Sequence, residues 1–278
     1  MLSYRHAFHA GNTGDVVKHA VLSIALCELL SKDKPICYLE THAGAGLYDL
    51  AGARPRKTGE SEAGIGRLWL RSDVPACLQP YLAAVRALNP DGVLRLYPGS
   101  PLIAAHLLRP ADRLVLMELH PEDDVLLRSS LGSDRRAHVH RRDGYEGLVA
   151  LTPPAERRGL GLVDPSYEVA SDFAAVAECI AAVHRRWPIG CLAIWYPLLP
   201  GDPFRRTERA LARAGTPGML RAEVSFRAGA LVGMRGSGLL IVNPPWKLRD
   251  ALAQALPWLA GVLGGDAALY RLEWLSAA

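Results

Sequence analysis

The sequence predicts an α/β fold with a mostly parallel, Rossmann-like sheet. Short apolar runs of strand length alternate with longer stretches of helical periodicity. A Gly-x-Gly turn follows the first run, and acidic residues end several runs, where the carboxyl edge of such a sheet binds ligands. The predicted core strands are Pro35–Glu40, Arg113–Glu118, Ala137–His140, Gly159–Asp164 and Cys191–Tyr196.

The composition is that of an ordinary globular protein. The chain has 278 residues, of which 50% are apolar and 22% charged, enough for a sizeable core. Its 32 basic and 28 acidic residues give a net charge of +4, which is compatible with a nucleic-acid partner without requiring one. We expect one domain over residues 1–278, and a monomer.

Cysteine usage and hydropathy predict a cytoplasmic protein. The five cysteines form no CxxC pair or other metal spacing, and their odd number indicates reduced thiols. No apolar run reaches the ~18 residues that a membrane span needs. The first residues are polar and aromatic, unlike an export signal.

Residues 1–19 are rich in His, Gly and aromatic residues. Asp15 is predicted as the N-cap of a buried helix over Val16–Leu30, which places Lys18 and His19 in its first turn. Backbone N–H groups in a first turn favour an anionic ligand group such as a carboxylate.

The first strand and the glycine turn after it predict the cofactor. Gly44 and Gly46 let the backbone approach a ligand closely. The dinucleotide fingerprint lacks its third glycine, because Asp49 stands where Gly or Ala would close it. Glu40 ends the strand, where it can meet a cationic amino group. These details favour S-adenosylmethionine over a dinucleotide.

Residues 51–97 are predicted to form a small, mostly helical insertion. Gly64–Leu70 and Ala76–Leu88 have helical patterns, and no strand pattern returns before Val93–Leu96. The basic residues of its first loop either contact phosphates or form an exposed loop without function. They are Arg54, Arg56 and Lys57.

Polar residues at element ends are further candidates. Ser100, followed by Pro101, is predicted to cap a helix. Glu118 ends the second core strand, where an acid can bind both hydroxyls of a ribose. After the third strand, Asp143 can accept from the amino group of an adenine, and Gly144 permits a turn.

The stretch Asp164-Pro-Ser-Tyr167 after the fourth strand predicts the chemistry. Asp164 and the carbonyl of Pro165 can accept the two hydrogens of an exocyclic amino group, and Tyr167 can stack on a base. This set suits methylation of an amino nitrogen on adenine. Asn243-Pro-Pro-Trp246 has a similar sequence and is the alternative catalytic stretch, but it follows the last predicted strand, at the sheet edge. We expect it to lead into a closing helix instead.

The remaining C-terminal elements complete the sheet. Helices are predicted over Asp172–Trp187 and Thr207–Ala214. Arg221–Phe226 and Gly238–Asn243 are predicted as antiparallel neighbours at one edge. The glycine-rich loop between them, residues 229–238, is expected near the substrate.

Several motifs together resemble a known family. The chain is similar, over nearly its full length, to the RlmJ family of bacterial large-subunit ribosomal RNA adenine-N6 methyltransferases. The matching motifs are Met1-Leu-Ser-Tyr-Arg-His, Phe8-His-Ala-Gly-Asn, Val17-Lys-His, Thr41-His-Ala-Gly-Ala-Gly, Tyr97-Pro-Gly-Ser-Pro, Glu118-Leu-His-Pro, Asp164-Pro-x-Tyr-Glu, Trp195-Tyr-Pro and Asn243-Pro-Pro-Trp-Lys.

The resemblance implies a Rossmann-like class I methyltransferase fold with a small helical insertion. It also implies S-adenosylmethionine as cofactor and N6-methylation of an adenine in 23S ribosomal RNA. We expect this RNA to be modified before the ribosome is fully assembled, although the sequence does not distinguish naked RNA from a ribosomal particle as the substrate. Asp164, Pro165 and Tyr167 would be catalytic. Tyr4 would touch the RNA, with His6 and Lys18 close to the site. Cofactor contacts are implied for His19, His42, Ser100, Glu118, Asp143, Gly144 and Asp164.

Ser166 departs from the family pattern, which has Pro at this position. The turn loses some stiffness, since proline fixes its backbone angle. The acceptors of Asp164 and Pro165 remain, so we expect activity to be kept.

Three other functions stay open. A DNA adenine methyltransferase would carry the same four residues, although no separate target-recognition domain is visible. A non-catalytic, cofactor-sensing RNA-binding module would not need both Asp164 and Tyr167. A metal hydrolase would bind its metal with the N-terminal cluster of His6, His9, Asp15 and His19. Histidines that are packed in the protein are commoner than histidines that bind a metal, so we expect no metal.

Overall fold

Strands and helices alternate along the chain in the computed structural model, which describes residues 6–52, 59–226, 233–265 and 268–275. The strands are β1 (Cys37–Glu40), β2 (Leu47–Asp49), β3 (Leu96–Pro98), β4 (Arg113–Met117), β5 (Ala137–His140), β6 (Gly159–Val163), β7 (Cys191–Leu198), β8 (Met219–Ser225), β9 (Gly236–Val242) and β10 (Leu269–Leu275). The helices are α1 (Thr13–Leu30), α2 (Glu60–Ala63), α3 (Ile65–Trp69), α4 (Gln79–Ala87), α5 (Ser100–Leu107), α6 (Pro121–Leu131), α7 (Gly144–Leu151), α8 (Asp172–Arg186), α9 (Arg205–Arg213) and α10 (Leu248–Gly264), with 3-10 turns at His6–Phe8 and Ala76–Leu78.

The strand order of the central sheet defines where a ligand can bind. Across the described residues the order is β5-β4-β1-β6-β7-β9-β8-β10, parallel from β5 to β7 and antiparallel beyond. The chain moves outward from β1 to β4 and β5, then returns to place β6 on the other side of β1. The carboxyl ends of β1 and β6 therefore form the switch point, where open α/β sheets bind ligands. The predicted Rossmann-like α/β fold is confirmed.

Helices cover both faces of the sheet because its central strands are apolar on both sides. On β1, Tyr38 packs in a core with α1, α4, α5 and α10, whereas Leu39 packs in a second core with α7, α8 and α9. Successive side chains of a strand point to opposite faces. Every residue of β6 is buried, as is typical of a parallel strand covered on both faces.

Helix α1 begins at Thr13, and Asn12 rather than Asp15 caps it. The side-chain oxygen of Asn12 accepts from the backbone N–H of Asp15 at 2.9 Å. The prediction of Asp15 as the cap is therefore wrong. Lys18 and His19 lie beyond the first turn, so the expectation that the helix dipole binds an anion there loses its basis.

Two predictions about strands are also wrong. Only the last residue of Val93–Leu96 is in a strand, because the Asn89 side-chain oxygen accepts from the backbone N–H groups of Arg95 and Leu96, both at 2.9 Å. Strands β8 and β9 are antiparallel neighbours as predicted, but they are not the edge. The unpredicted β10 lies outside β8, and its mostly exposed residues show no apolar period.

The stretch between β2 and β3 is helical where the structure describes it. It contains α2, α3, α4 and a 3-10 turn. That residues 51–97 are an insertion in a single domain stays a prediction. The basic residues Arg54, Arg56 and Lys57 lie outside the described residues, as does the part of the predicted glycine loop up to residue 232.

Candidate active site

A cavity of about 770 Å³ opens at the carboxyl ends of β1, β4 and β6, beside the start of α1. Most of the predicted site residues line it, so residues from distant parts of the chain converge at the switch point. They are His6, Lys18, His19, His42, Gly44, Ser100, Glu118, Asp143, Gly144, Asp164, Pro165 and Tyr167.

Two predicted cofactor residues lie away from the cavity wall. Glu40 is fully buried, and Gly46 lies in the turn before β2, where its carbonyl oxygen accepts from the backbone N–H of Gly99 at 2.7 Å. Tyr4 lies outside the described residues. Glu40 therefore supports the site from behind instead of facing it.

Lys18 joins two carboxylates in the cavity wall. Its Nζ lies 2.6 Å from Oδ2 of Asp164 and 3.0 Å from Oδ1 of Asp15. The side chains of Lys18 and Asp15 are only 6% and 2% exposed. Burial alone would lower the pKa of Lys18, but the two carboxylates raise this pKa well above its usual value. Lys18 is therefore a permanent cation beside Asp164.

Asp15 connects this ion pair with His6. Its Oδ2 lies 2.9 Å from Nε2 of His6 and accepts from the backbone N–H of Gly11, also at 2.9 Å. Burial would raise the pKa of Asp15, but the charges of His6 and Lys18 hold this pKa well below its usual value. Asp15 thus fixes His6 and Lys18 in place, a role that its position near a helix start did not reveal.

Asp164 has one oxygen available for a substrate. Lys18 occupies Oδ2, whereas Oδ1 makes no hydrogen bond with any residue that the structure describes. The turn after it is rigid: Tyr167 has φ +52°, a left-handed conformation that persists only where surrounding contacts fix it. The Tyr167 hydroxyl donates to the Trp195 carbonyl oxygen at 2.7 Å, and its ring centroid lies 4.7 Å from that of Phe173.

The rival stretch Asn243-Pro-Pro-Trp246 lies away from the cavity. The Asn243 side-chain amide donates to the carbonyl oxygens of Pro188 and Gly190, which precede β7, at the opposite end of the sheet. Strand β9 is internal, so the predicted edge position is wrong, but the stretch does lead into the closing helix α10.

Glu118 and Gly44 form the part of the cavity predicted for a ribose. Oε2 of Glu118 accepts from the backbone N–H of Gly44 at 2.8 Å, and Oε1 accepts from that of His120 at 2.7 Å. Each carboxylate oxygen has a second lone pair, so two hydroxyls can still bind. Gly44 has φ +63°, and a Cβ there would lie 2.5 Å from the Tyr48 hydroxyl oxygen.

Asp143 and Gly144 place α7 against the end of β1. Oδ1 of Asp143 accepts from the backbone N–H of Glu146 at 2.9 Å and caps the helix. A Cβ at Gly144 would lie 2.0 Å from the carbonyl oxygen of Thr41. The two backbones approach more closely than a side chain permits.

Gly144→Ala is expected to lower stability by about 1–3 kcal/mol, because α7 or the end of β1 must shift. Binding of S-adenosylmethionine should weaken as well. The matched control is Gly261→Ala on α10, where a Cβ meets nothing within 4 Å and helix propensity improves by about 0.5–1 kcal/mol. Thermal melting and calorimetric titration measure both effects. Equal melting temperatures for the two variants would contradict the assignment.

Ser100 does not cap α5, contrary to the prediction. Gly99 is the N-cap, and the Ser100 hydroxyl donates to Oε1 of Glu40. The Tyr38 hydroxyl donates to Oε2 of Glu40 at 2.9 Å. Burial raises the pKa of Glu40 to about 8, although these hydrogen bonds oppose the shift.

Glu40→Gln is expected to stabilise the protein increasingly between about pH 5 and pH 8. In this window an unfolded chain ionises Glu40 while the folded chain keeps it protonated, so wild-type stability falls as the pH rises. Above pH 8 the gain should level at a few kcal/mol. The control is Glu156→Gln, since Arg113 lowers the pKa of Glu156. Glu156→Gln should instead be less stable than the wild type at pH 7. A pH-independent difference for Glu40→Gln would refute the expectation.

The cavity wall also includes residues that sequence reasoning missed. Oε1 of Glu60, on α2, lies 2.9 Å from Nδ1 of His9, and Oε2 accepts from the Asn12 amide at 3.1 Å. The hydrogen bond with Glu60 raises the pKa of His9. The ring centroid of Trp195 lies 5.6 Å from Nζ of Lys18. Its Trp-Tyr-Pro motif was the signal available, whereas Glu60 had none.

Metal and membrane features were searched over the described part of the chain. In it, no group of three or more His, Cys, Asp or Glu side chains is arranged to hold a metal ion. None of its helices is both long and apolar enough to cross a membrane. The five cysteines are free thiols.

Comparisons with known proteins identify the family. A sequence model described as "Ribosomal RNA large subunit methyltransferase D, RlmJ" matches residues 33–276. The chain belongs to the RlmJ family. The protein named "Ribosomal RNA large subunit methyltransferase J" in Escherichia coli K12 is 46% identical over 260 residues, 93% of each chain. Its namesake in Haemophilus influenzae is 41% identical over 279 residues, 99% of each chain.

A solved structure supports the same conclusion. A protein from Legionella pneumophila superposes with a TM-score of 0.89 at 34% identity, covering 96% of this chain and 98% of that one. RlmJ family membership confirms the resemblance seen in the motifs, the class I methyltransferase fold and S-adenosylmethionine as the cofactor.

Proposed function

We propose that this RlmJ family member transfers a methyl group from S-adenosylmethionine to N6 of an adenine in large-subunit (23S) ribosomal RNA. The observation that carries the proposal is Asp164 at the switch point, with Oδ1 open toward the cavity and a rigid Pro-Ser-Tyr turn behind it. The names of the two relatives, both large-subunit ribosomal RNA methyltransferases, support this RNA as the substrate.

The cavity wall suits S-adenosylmethionine chemically. Glu118 retains lone pairs for ribose hydroxyls. Nε2 of His19 is buried without a partner among the described residues, and such atoms usually bind a polar ligand group or water. When bound, the cofactor supplies a methyl group on a positively charged, electrophilic sulfur.

Asp164 and Pro165 would act on the target amino group. The N6 lone pair of adenine is delocalised into the ring and is a poor nucleophile. Acceptors at Oδ1 of Asp164 and the carbonyl of Pro165 would hold both hydrogens and favour the pyramidal nitrogen that attacks. Positioning of this kind supplies much of the rate. After transfer Asp164 would take the proton, directly or through water.

The target base has to leave its stack before it reaches Asp164. In this proposal Tyr167 stacks on the extruded base, Tyr4 touches the RNA, and His6 and Lys18 are close to the site. Ser166 is exposed at the tip of the turn, where it leaves both acceptors in place.

The finer parts of the proposal concern the working form. We propose a cytoplasmic monomer that needs no metal and acts on ribosomal RNA before the particle is complete. Free thiols support the compartment. The requirement for an extruded base supports RNA that is not yet fully packed.

Methyl transfer from labelled cofactor tests the proposal. The acceptors are protein-free large-subunit ribosomal RNA, assembled large subunits and DNA, each with and without a chelator. Label recovered as N6-methyladenosine in protein-free RNA is expected in both conditions. Label on DNA alone would establish the DNA enzyme instead. Label on no acceptor, with the cofactor bound, would favour the non-catalytic RNA-binding module.

A further inference from the structure

A chain of three hydrogen-bonding side chains leads from the core to the cofactor cavity. Nδ1 of His19 lies 2.7 Å from the Tyr97 hydroxyl oxygen, which lies 2.9 Å from that of Tyr81. All three residues are buried, with at most 1% exposed. His19 lines the cavity, and its Nε2 has no partner among the residues that the structure describes.

One arrangement of the hydrogens in this chain satisfies both hydroxyl groups. If Tyr81 donates to Tyr97 and Tyr97 donates to Nδ1 of His19, both hydroxyl hydrogens have an acceptor, and the remaining hydrogen, on Nε2 of His19, lies at the cavity wall, where a ligand or a water molecule can accept it. If instead Nδ1–H of His19 donates to Tyr97, one hydroxyl hydrogen remains buried without an acceptor in the described part of the chain. An unsatisfied buried donor of this kind costs about 1–3 kcal/mol.

We propose that Tyr97 and Tyr81 are positioning residues that hold His19 as the Nε2–H tautomer, so that it donates a hydrogen bond to the carboxylate of S-adenosylmethionine. The inference rests on the proposed function for the presence of this cofactor. A neutral donor suits the site, because Lys18 lies one residue away and already supplies the local positive charge. Burial keeps the pKa of His19 well below its usual value, so the ring stays uncharged.

This assignment gives the helical stretch between β2 and β3 a part in cofactor binding. Tyr81 is on α4, and its hydroxyl reaches Tyr97 at β3 from the side away from the cavity. The stretch therefore does more than enclose the site: its Tyr81 hydroxyl contacts the Tyr97 oxygen and supports donation from Tyr97 to His19.

The tautomer is measured directly in the cofactor-free protein. Long-range nitrogen–proton NMR spectra of histidine-labelled protein distinguish the two tautomers, and His19→Gln identifies the His19 signals among those of the nine histidines. The expected result is Nε2–H in the wild type and a mixture in Tyr97→Phe. A wild-type His19 protonated on Nδ1 would overturn the proposal, whether or not the cofactor binds.

Calorimetric binding gives the second readout. Tyr97→Phe should weaken binding of S-adenosylmethionine by the factor by which the Nε2–H population falls, about twofold for an even mixture of tautomers. Tyr81→Phe should bind S-adenosylmethionine like the wild type, because Tyr97 can still donate to Nδ1 of His19. Decarboxylated S-adenosylmethionine should bind the wild type and Tyr97→Phe equally.

The matched control is Tyr196→Phe, which loses a buried hydroxyl that donates to Glu223 at 2.7 Å, outside the cavity. It should bind both cofactors like the wild type. Equal weakening of both cofactors by Tyr97→Phe would mean general damage and would overturn the proposal. A wild type that binds neither cofactor would count against the proposed function, while the NMR result still decides the tautomer.

Discussion

Replacement of Asp164 by Asn is expected to lower the single-turnover rate of methyl transfer by about 10³-fold, because the variant cannot take the proton from N6. Lys18 adds to the effect. Its Nζ lies 2.6 Å from Oδ2 of Asp164 and would select the amide oxygen of Asn. The amide NH2 would then point toward the adenine amino group, so that a donor would face a donor.

The stability of Asp164→Asn should change little, since Lys18 keeps Asp15 as a partner. The control is Asp112→Asn, a buried aspartate paired with Arg109 at 3.0 Å, at the far end of the sheet. That variant should lose stability but retain its rate at low temperature. A rate for Asp164→Asn within tenfold of the wild type would show that Asp164 is not the proton acceptor.

Lys18→Met is expected to be the most destabilising of the substitutions considered. It removes the cation from between Asp15 and Asp164, so the two carboxylates lose their shared counter-charge, and Asp15, whose side chain is 2% exposed, keeps His6 as its partner. Breaking a buried pair in this way costs about 3–5 kcal/mol, which lowers the melting temperature by about 10 °C. Methyl transfer should also fall, because Asp164 loses the contact that orients it.

The loss should grow with pH. Without Lys18, Asp15 loses one of the two charges that hold its pKa low, so the folded variant binds a proton on Asp15 more tightly than the folded wild type, and its stability relative to the wild type declines as the pH rises. Arg71→Met is the control, since its ion pair with Asp73 is about half exposed, and such pairs contribute about 0–1 kcal/mol. A Lys18→Met protein that melts like Arg71→Met would disprove the buried-pair interpretation.

The sequence predicted the parallel part of the sheet well, because its inner strands are mostly buried apolar runs that end at acidic residues or proline, whereas the edge strand β5 alternates His with apolar residues. It missed β10, which lies at an exposed edge and needs no apolar run. It extended β3 too far, because the groups that Asn89 satisfies have no pattern visible in the sequence.

In the site, Asp164 was predictable because its chemistry lies in four adjacent residues. The buried position of Glu40 follows from the two-residue period of a strand. Tyr38 and Glu40 are two residues apart, so their side chains point to the same face of β1. Because Tyr38 packs in the core, Glu40 is also buried there, and Tyr38 and Ser100 donate hydrogen bonds to it. The contacts of Asp15 and Glu60 depend on tertiary packing alone, which no local pattern encodes.

The ion pair of Lys18 and Asp164 joins residues 146 positions apart. At a translation rate of about 5–20 residues per second, roughly 7–30 s separate the synthesis of the two. During that interval Asp15 is present but Asp164 does not yet exist, so the second of the two carboxylates that pair with Lys18 is missing. A nascent chain can already contain the glycine turn and Glu118, yet it lacks the proton acceptor. The enzyme therefore cannot modify RNA until the ribosome has translated the whole of β6 and the turn beyond it.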